Sequence, residues 1–473
     1  MESIITETAK DSSINESERI KTAEKIAIKE GSAYSLMDSF GLRYITPYAL
    51  ALGASNFYIS IISSIPSLLG NMAQLPVLRL LKTNSRKKIV VLAVMLQTIL
   101  WLPLIFTGFL YFAMGINSQI AVLLLVWSYT FMIIAGSVAS PAWNSWMKDL
   151  IRSSQGEYFG KRNKIMGIVA LTGMLIAGMI LHYFDKLDIF TGFLIIFSVA
   201  FIGRGISAYL LSTKYEPYFC YEKEAEFSFV QFIKKSYSNN FGRFAIFVSL
   251  ISFATAVASP FFAVYMLKDL GFSYLSFTLV TLSGPLTTIL FMPVWGKFAD
   301  KYGNVKVLKI TGYLIPLVPL LWVLSIFVTK LNPSFLLVYL ILIEGFSGFA
   351  WAGFNLSAAN FIYDAVTRQK MAFCVAYFNI VNSFGAFVGA LIGGIISSYT
   401  FFVFGLSSLI VIFIISGILR LAVSLAMAPL IKEVRTVKEF EVKKEVKDKL
   451  NEIRLTVRRY IGFKPIRISP VQN

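Results

Sequence analysis

Gly296-Lys297-Phe298-Ala299-Asp300-Lys301-Tyr302-Gly303, with Lys306 beyond it, is a short charged turn between two long apolar runs, 275–296 and 305–328. Each run exceeds the roughly 20 apolar residues that a helix needs to cross a bilayer. The turn carries two lysines and an aspartate and cannot rest in hydrocarbon, so it joins two spans at one membrane surface. The same grammar repeats on either side. Apolar stretches occupy 33–53, 57–81, 89–111, 119–140, 164–184 and 189–212 in the first half, and 243–267, 334–358, 371–397 and 400–430 in the second. With the first two runs they make twelve candidate spans. The chain is 56% hydrophobic and only 15% charged, where a soluble domain carries about a quarter charged residues.

Charge placement orients the spans. Of the 44 Lys and Arg, 38 lie in alternate segments: the N-tail, 79–88, 148–164, 213–243, 297–309, 368–370 and the C-tail. The opposite segments hold only Lys186, Lys268 and Lys330, and Arg43, Arg204 and Arg420 fall within spans. By the positive-inside rule both termini are expected in the cytoplasm, with the chain multi-pass in the cell membrane. The formal charge of +18 is thereby assigned to the anionic inner leaflet rather than to nucleic acid. Residues 1–32 are polar with no apolar h-region, so the first span is read as uncleaved.

Other chemistries fall away. Cys220 and Cys374 are far apart and outside any CxxC spacing, which implies neither a disulfide framework nor a zinc site. His182 is the one histidine, so triad catalysis has little to build on. The segment Gly156-Glu157-Tyr158-Phe159-Gly160-Lys161-Arg162 lacks the spacing and the Ser/Thr of a phosphate loop. No enzyme activity, metal or cofactor is expected.

The halves repeat at an offset of about 213–219 residues. Thr46-Pro47-Tyr48 answers Ser259-Pro260-Phe261, Leu52-Gly53 answers Leu270-Gly271, and Pro66 answers Pro285. Asp149 matches Asp364, Asn163 matches Asn379, Gly173 and Gly178 match Gly389 and Gly394, and Arg204 matches Arg420. Glu216 and Glu433 follow the two arginines at similar distances. Six spans return a chain to the side it left, so this is a parallel repeat. The expected fold is an all-α polytopic membrane protein of twelve transmembrane helices in two pseudo-symmetric six-helix bundles. Its expected organisation is a cytoplasmic N-tail (1–32), an N-terminal bundle (33–212), a cytoplasmic linker (213–242), a C-terminal bundle (243–430) and a basic C-tail (431–473).

With its charged turn Gly296, Asp300, Lys301 and Gly303, the chain resembles the major facilitator superfamily of secondary transporters, whose GxxxD(R/K)xG signature sits in this place. The resemblance spans about residues 33–430. The first-half turn, Arg79 to Lys88, keeps the basic residues without the Gly-Asp framework. Pro141-Ala142-Trp143-Asn144-Ser145-Trp146-Met147-Lys148-Asp149-Leu150, with Tyr158-Phe159-Gly160-Lys161-Arg162-Asn163, resembles a less characterised prokaryotic permease branch. The resemblance implies alternating access between the halves, with a small organic solute bound near the midplane. The GPxxGG element of drug/proton antiporters is not met in span 5, where Gly173-Met174-Leu175-Ile176-Ala177-Gly178 lacks the proline.

Polar residues in hydrocarbon cost about 2.5–3.5 kcal/mol each on insertion scales, so each needs a reason. The duplicated ones, Arg204, Arg420, Asp149 and Asp364, are read as scaffold and gate, with Asp300 in the same inward-side charge networks. The unduplicated ones are read as belonging to cargo or coupling. Glu344 lies mid-span, its first-half counterpart near Ser128 is not acidic, and Gly348, Trp351 and Asn355 share its helical stripe. A carboxyl placed there can alternate between protonated and ionised states, as a proton carrier or as a counter-ion for cationic cargo. Arg43 is read as an anion clamp or as the neutraliser of Glu344 across the cavity. Asp38 stands five residues before it, about 140° away on a continuous helix, so the two are expected not to pair. Asn71, Gln74 and Asn382 complete the expected polar cavity. In the C-tail, Val434, Val437, Phe440, Leu450, Ile453, Val457 and Ile461 suggest a basic amphipathic helix on the membrane surface.

The reading is a proton-coupled secondary transporter for a small organic solute. A uniporter or anion exchanger with Arg43 holding the cargo, and a non-transporting membrane sensor or assembly subunit, stand beside it. Anionic, cationic and zwitterionic cargo are all open at this point, because the cavity offers one charge of each sign.

Overall fold

The computed structural model describes residues 2–81, 83–151, 155–218, 228–236, 239–367, 370–399, 402–403 and 405–437. In the first half, α1 (Glu2–Phe40) and α2 (Ile45–Ala51) form one kinked rod, followed by α3 (Asn56–Leu80). Then come α4 (Arg86–Ile99) with α5 (Trp101–Gly108), α6 (Ser118–Leu150), α7 (Gln155–Phe184) and α8 (Ile189–Thr213). A short α9 (Phe229–Ser236) leads into α10 (Asn240–Ala256) with α11 (Phe261–Val264), and α12 (Tyr274–Tyr302). The second half ends with α13 (Asn304–Leu314) with α14 (Leu317–Leu331), α15 (Leu336–Ala365), α16 (Met371–Ser398) and α17 (Ser408–Met427). A two-residue hairpin, Phe402–Val403 against Leu406–Ser407, links the last two.

Among the described residues ten of these rods are long and apolar enough to cross a membrane. The α1–α2 rod and α3 do not meet that measure. The first carries the polar sequence before residue 33 and is broken at Gly41, and the second is rich in Ser, Asn and Gln. Leu92, Leu96, Ile99, Leu102 and Phe106 recur at helical spacing on α4 and α5 and point outward, as do Trp127, Leu290 and Leu342. Such a belt is unfavourable in water and suits hydrocarbon. The chain is a multi-pass membrane protein.

Through the polar N-terminus α1 runs without interruption. Ala23 and Ala27 are buried against Met147, Leu150 and Ile151 at the end of α6. Tyr158 Oη donates to the Glu24 carbonyl at 2.9 Å, and Arg162 Nε donates to the Ala27 carbonyl at 3.2 Å. The expected C-tail helix lies outside the described residues beyond Val437.

The core is divided unequally along the rods. At the end away from the charged turns, here the distal end, one hydrophobic core spans both halves. It joins Tyr44, Ile59 and Ile62 to Val257, Phe261 and Phe277. At the proximal end, where the turns 81–86 and 302–304 lie, the buried residues form separate cores. Val90, Val94 and Trp146 belong to the first half, and Phe244, Phe354 and Phe361 belong to the second.

Glycines govern the close approaches, and they do so in symmetric pairs. A Cβ on Gly173 would meet Ser39 Oγ at 2.3 Å, bringing α7 onto α1. One on Gly389 would meet the Phe253 carbonyl at 2.1 Å, bringing α16 onto α10. Between the halves, Gly178 faces Thr278 at 2.4 Å and Gly394 faces Ser60 at 2.2 Å by the same measure. Small residues let helices lie this close. Gly53 and Gly271, paired by the repeat, both take positive φ, 82° and 63°.

Candidate functional site

The kink in the first rod organises the polar groups of the first half. The rod breaks where Gly41 lies under Trp101, since a Cβ there would sit 2.2 Å from the indole. The chain passes through a 3-10 turn, Leu42–Tyr44, before α2 resumes. This turn overturns the expectation that Asp38 and Arg43 stay apart. Arg43 Nε donates to Asp38 Oδ2 at 3.1 Å, because the 100° per residue of an unbroken helix does not apply across the break. Tyr44 next to it is fully buried and donates to the Met174 carbonyl at 2.7 Å, with Thr278 Oγ1 of the other half 2.9 Å away.

A second group, missed in the sequence, backs this pair. Glu30, Tyr34 and Asp38 recur at four-residue intervals along one face of α1. The Arg204 guanidinium lies over the Tyr34 ring, 5.1 Å from its centre. It donates to Gln97 Oε1 at 2.7 Å and to Ser207 Oγ at 3.2 Å. Ser207 donates onward to Glu30 Oε1 at 3.1 Å, and Arg162 donates to Glu30 Oε2 at 3.5 Å. The four-residue spacing was the available signal; the partners Gln97 and Arg162 are distant in sequence. Tyr129 of α6 is within electrostatic reach of Asp38, Tyr34 and Arg43.

In the second half Glu344 lies at the α12–α15 contact, with Oε1 3.3 Å from where a Cβ on Gly284 would stand. Its charged neighbour is Arg420, so the expected neutralisation by Arg43 across the cavity is not the arrangement found. Arg420 is itself buried and donates to Ser416 Oγ at 3.0 Å and to the Ile315 and Thr255 carbonyls at 3.4 Å. Gly348, one turn from Glu344, packs against the Gly284 carbonyl. Trp351 turns instead to Phe354, ring centres 5.5 Å apart, and Asn355 is exposed. Gln74 donates to Asn71 Oδ1 at 3.1 Å, and Ser252 donates to Asn382 Oδ1 at 2.5 Å.

The proximal end holds two charge networks related by the repeat. In the first, buried Arg86 donates to Asp149 Oδ2, Glu216 Oε1 and the Pro217 carbonyl, while its own N–H bonds Glu216. In the second, Asn304 donates to Asp364 Oδ2 at 2.8 Å, and the Val305 N–H donates to Glu433 Oε2 at 2.9 Å. Arg435 pairs with Asp364 at 3.2 Å and approaches Asp300 at 3.9 Å. Gly296 stands one turn before Asp300 on α12, and the Lys301 ammonium lies 4.8 Å from the Tyr302 ring centre. Gly303 closes the turn at φ 94°, where a side chain would be strained and would strike Glu433. Beside the first network Lys214 is buried against Trp146, 3.9 Å from the ring centre, and Trp146 Nε1 donates to the Tyr215 carbonyl at 3.0 Å. Burial pushes the Lys214 pKa down to about 8 against the opposing charge of Glu30. Among the described residues no cluster of His, Cys, Asp and Glu could hold a metal ion.

The arrangement matches known architecture. Residues 244–471 match the family model described as Major Facilitator Superfamily. No curated protein sequence matches the chain. Among solved structures, a mutant of the nucleoside transporter NupG superposes with a TM-score of 0.62 at 18% identity, covering 87% of this chain and 100% of that one. A bacterial homologue of the iron transporter ferroportin, in an inward-facing state, gives 0.63 at 10% identity over 86% and 98%. The xylose transporter XylE from E. coli, partially occluded and inward open, gives 0.59 at 14% identity over 89% and 100%. At such identities these likenesses establish the fold. The family model is thus matched through the second half, and the fold running through both halves is similar to that of these solved transporters.

Proposed function

We propose that the protein is a secondary transporter that moves a small organic solute across the cell membrane by alternating access, coupled to protons through Glu344. The observation that carries this is the unequal core: the halves share one core distally and keep separate cores proximally. The halves are thus more loosely joined toward one membrane face, where Leu75 of α3 packs against the second-half core. The positive-inside rule makes that face cytoplasmic, with both termini on it. Rocking the bundles (33–212 and 243–430, joined by 213–242) would exchange the closed end. Glu344 is suited to coupling because it is a carboxyl in the membrane with one electrostatic partner, Arg420. Protonation removes the charge that acts on Arg420, at the contact of α15 with α12.

Purified protein in proteoliposomes, with internal pH followed while sugars, nucleosides, amino acids, carboxylates and lipophilic cations are added in turn, tests this reading. The expected result is a proton flux that depends on one solute class. In Glu344→Gln solute counterflow persists and the proton flux is lost. Unchanged coupling in that variant would remove Glu344 from the mechanism, and absence of both flux and exchange would remove transport.

A further inference from the structure

The helix α9 has only eight residues, too few to hold its shape in water without burial. One side of it is buried. Phe232 and Ser236 are covered, and a Cβ on Gly242 would stand 2.2 Å from Ser236 Cα, so α9 folds directly against the start of α10. The rings of Phe229 and Phe232 lie 5.4 and 5.6 Å from that of Tyr377 on α16. Val230 and Ile233 continue the same apolar arc at the angular step of a helix, yet they are 59% and 38% exposed. Gln231 and Lys234 occupy the remaining side and are exposed too.

Tyr377 fixes the surface of the molecule on which α9 lies. Phe384 and Ile395 share its stripe on α16, at about two and about five turns along the helix. α16 meets α10 through Gly385, Gly389 and Gly393 and meets α3 through Gly394, and the Tyr377 stripe lies on neither face. Phe384 is 56% and Ile395 51% exposed. Ile395 stands beside Ile396, which packs on the distal core shared by both halves. Its exposure is therefore toward the outer surface, where a span meets lipid. The apolar span of α16 starts at Phe373, a turn before Tyr377, which puts α9 at the membrane boundary on the lipid side. From Phe227 to Arg243 the chain carries Lys234, Lys235 and Arg243 and no acidic residue.

We propose that α9 is an interfacial helix docked on anionic lipid of the leaflet at the proximal end. Val230 and Ile233 enter the acyl boundary, and Lys234 meets the headgroups. The connection between the bundles is thereby fixed to the membrane as well as to α10 and α16.

The test uses full-length protein without Cys220 and Cys374, spin-labelled singly through Val230→Cys, Gln231→Cys, Ile233→Cys or Lys234→Cys, in nanodiscs. Oxygen, which concentrates in hydrocarbon, and a nickel complex, which stays in water, are compared as relaxants of each label. With phosphatidylglycerol present, oxygen is expected to dominate at 230 and 233, and nickel at 231 and 234. Lys234→Gln lowers the ratio of docked to undocked α9 by about fivefold, and phosphatidylcholine alone lowers it at least as far. Both changes appear as nickel access to the label at Ile233. Nickel dominance at all four sites would overturn the inference. So would low access of both relaxants at Val230 and Ile233, which would mean that protein, such as a second copy of the chain, covers this face. Equal docking in the two lipids would refute the anionic partner and with it the proposal.

Discussion

Lys214 is fully buried, and among the described residues its ammonium donates only to the Met147 sulfur, at 3.4 Å. The charges that act on it are Glu30 of α1, Arg162 of α7, Glu216 just beyond it and Lys87 of α4. Its folded pKa of about 8 lies below the ordinary 10.5, so the unfolded chain holds the proton over a range in which the folded chain has lost it. Stability therefore rises with pH between about 8 and 10.5 and is flat below. Melting curves for the native protein and Lys214→Met should show the difference in Tm moving in the native protein's favour across that window. Parallel pH profiles would refute the assignment. At Arg86 the stakes are larger, because acceptors from Ser145, Asp149, Glu216 and Pro217 converge on one buried guanidinium. Arg86→Ala is expected to destabilise by about 1–3 kcal/mol, because it strands the mostly buried Glu216 carboxylate while Asp149 is 41% exposed and stays solvated. Arg86→Lys should recover only part of it, since an ammonium cannot reproduce the planar fork. Denaturation in detergent measures both.

At the scale of elements, the distal closure rests on four small residues in two symmetric contacts, Gly178 with Thr278 and Gly394 with Ser60. Gly394→Leu overfills the second contact, and overpacking of this kind costs about 1–3 kcal/mol. The helices relieve that cost by parting distally, so the population open at that end should rise by about fivefold or more. A cysteine at Ser64, which is buried in α3, placed in a background without Cys220 and Cys374, should then react faster with an impermeant maleimide added from outside. An unchanged rate would show that Gly394 does not govern closure. These glycine pairs were legible in the sequence because the repeat aligns them and because close helix packing leaves few residue types to choose from. The kink at Gly41 was not legible. It depends on Trp101, sixty residues away in sequence, and it reversed the reading of Asp38 and Arg43. Arg420 as the neighbour of Glu344 was hidden for the same reason, since helical periodicity places residues on a face but does not say which other rod meets that face.

Over the whole molecule, the spans were readable because hydrocarbon forbids unsatisfied backbone and so imposes length and apolarity on each crossing segment. The exceptions are instructive. The first rod and α3 fall short of the usual measure, the first for its polar N-terminal stretch and its break at Gly41, the second for its Ser, Asn and Gln. Alternation is the claim on which the account rests. Spin labels at Lys186 and Leu331 report the distance between the halves distally, and labels at Lys88 and Tyr363 report it proximally; all four side chains are exposed. Pulsed dipolar spectroscopy in nanodiscs at pH 5 and pH 8 varies the proton, the ligand proposed to act through Glu344. The two distances are expected to shift in opposite directions between these conditions, and Glu344→Gln to abolish the shift. Distances that stay fixed, or that lengthen and shorten together, would contradict it.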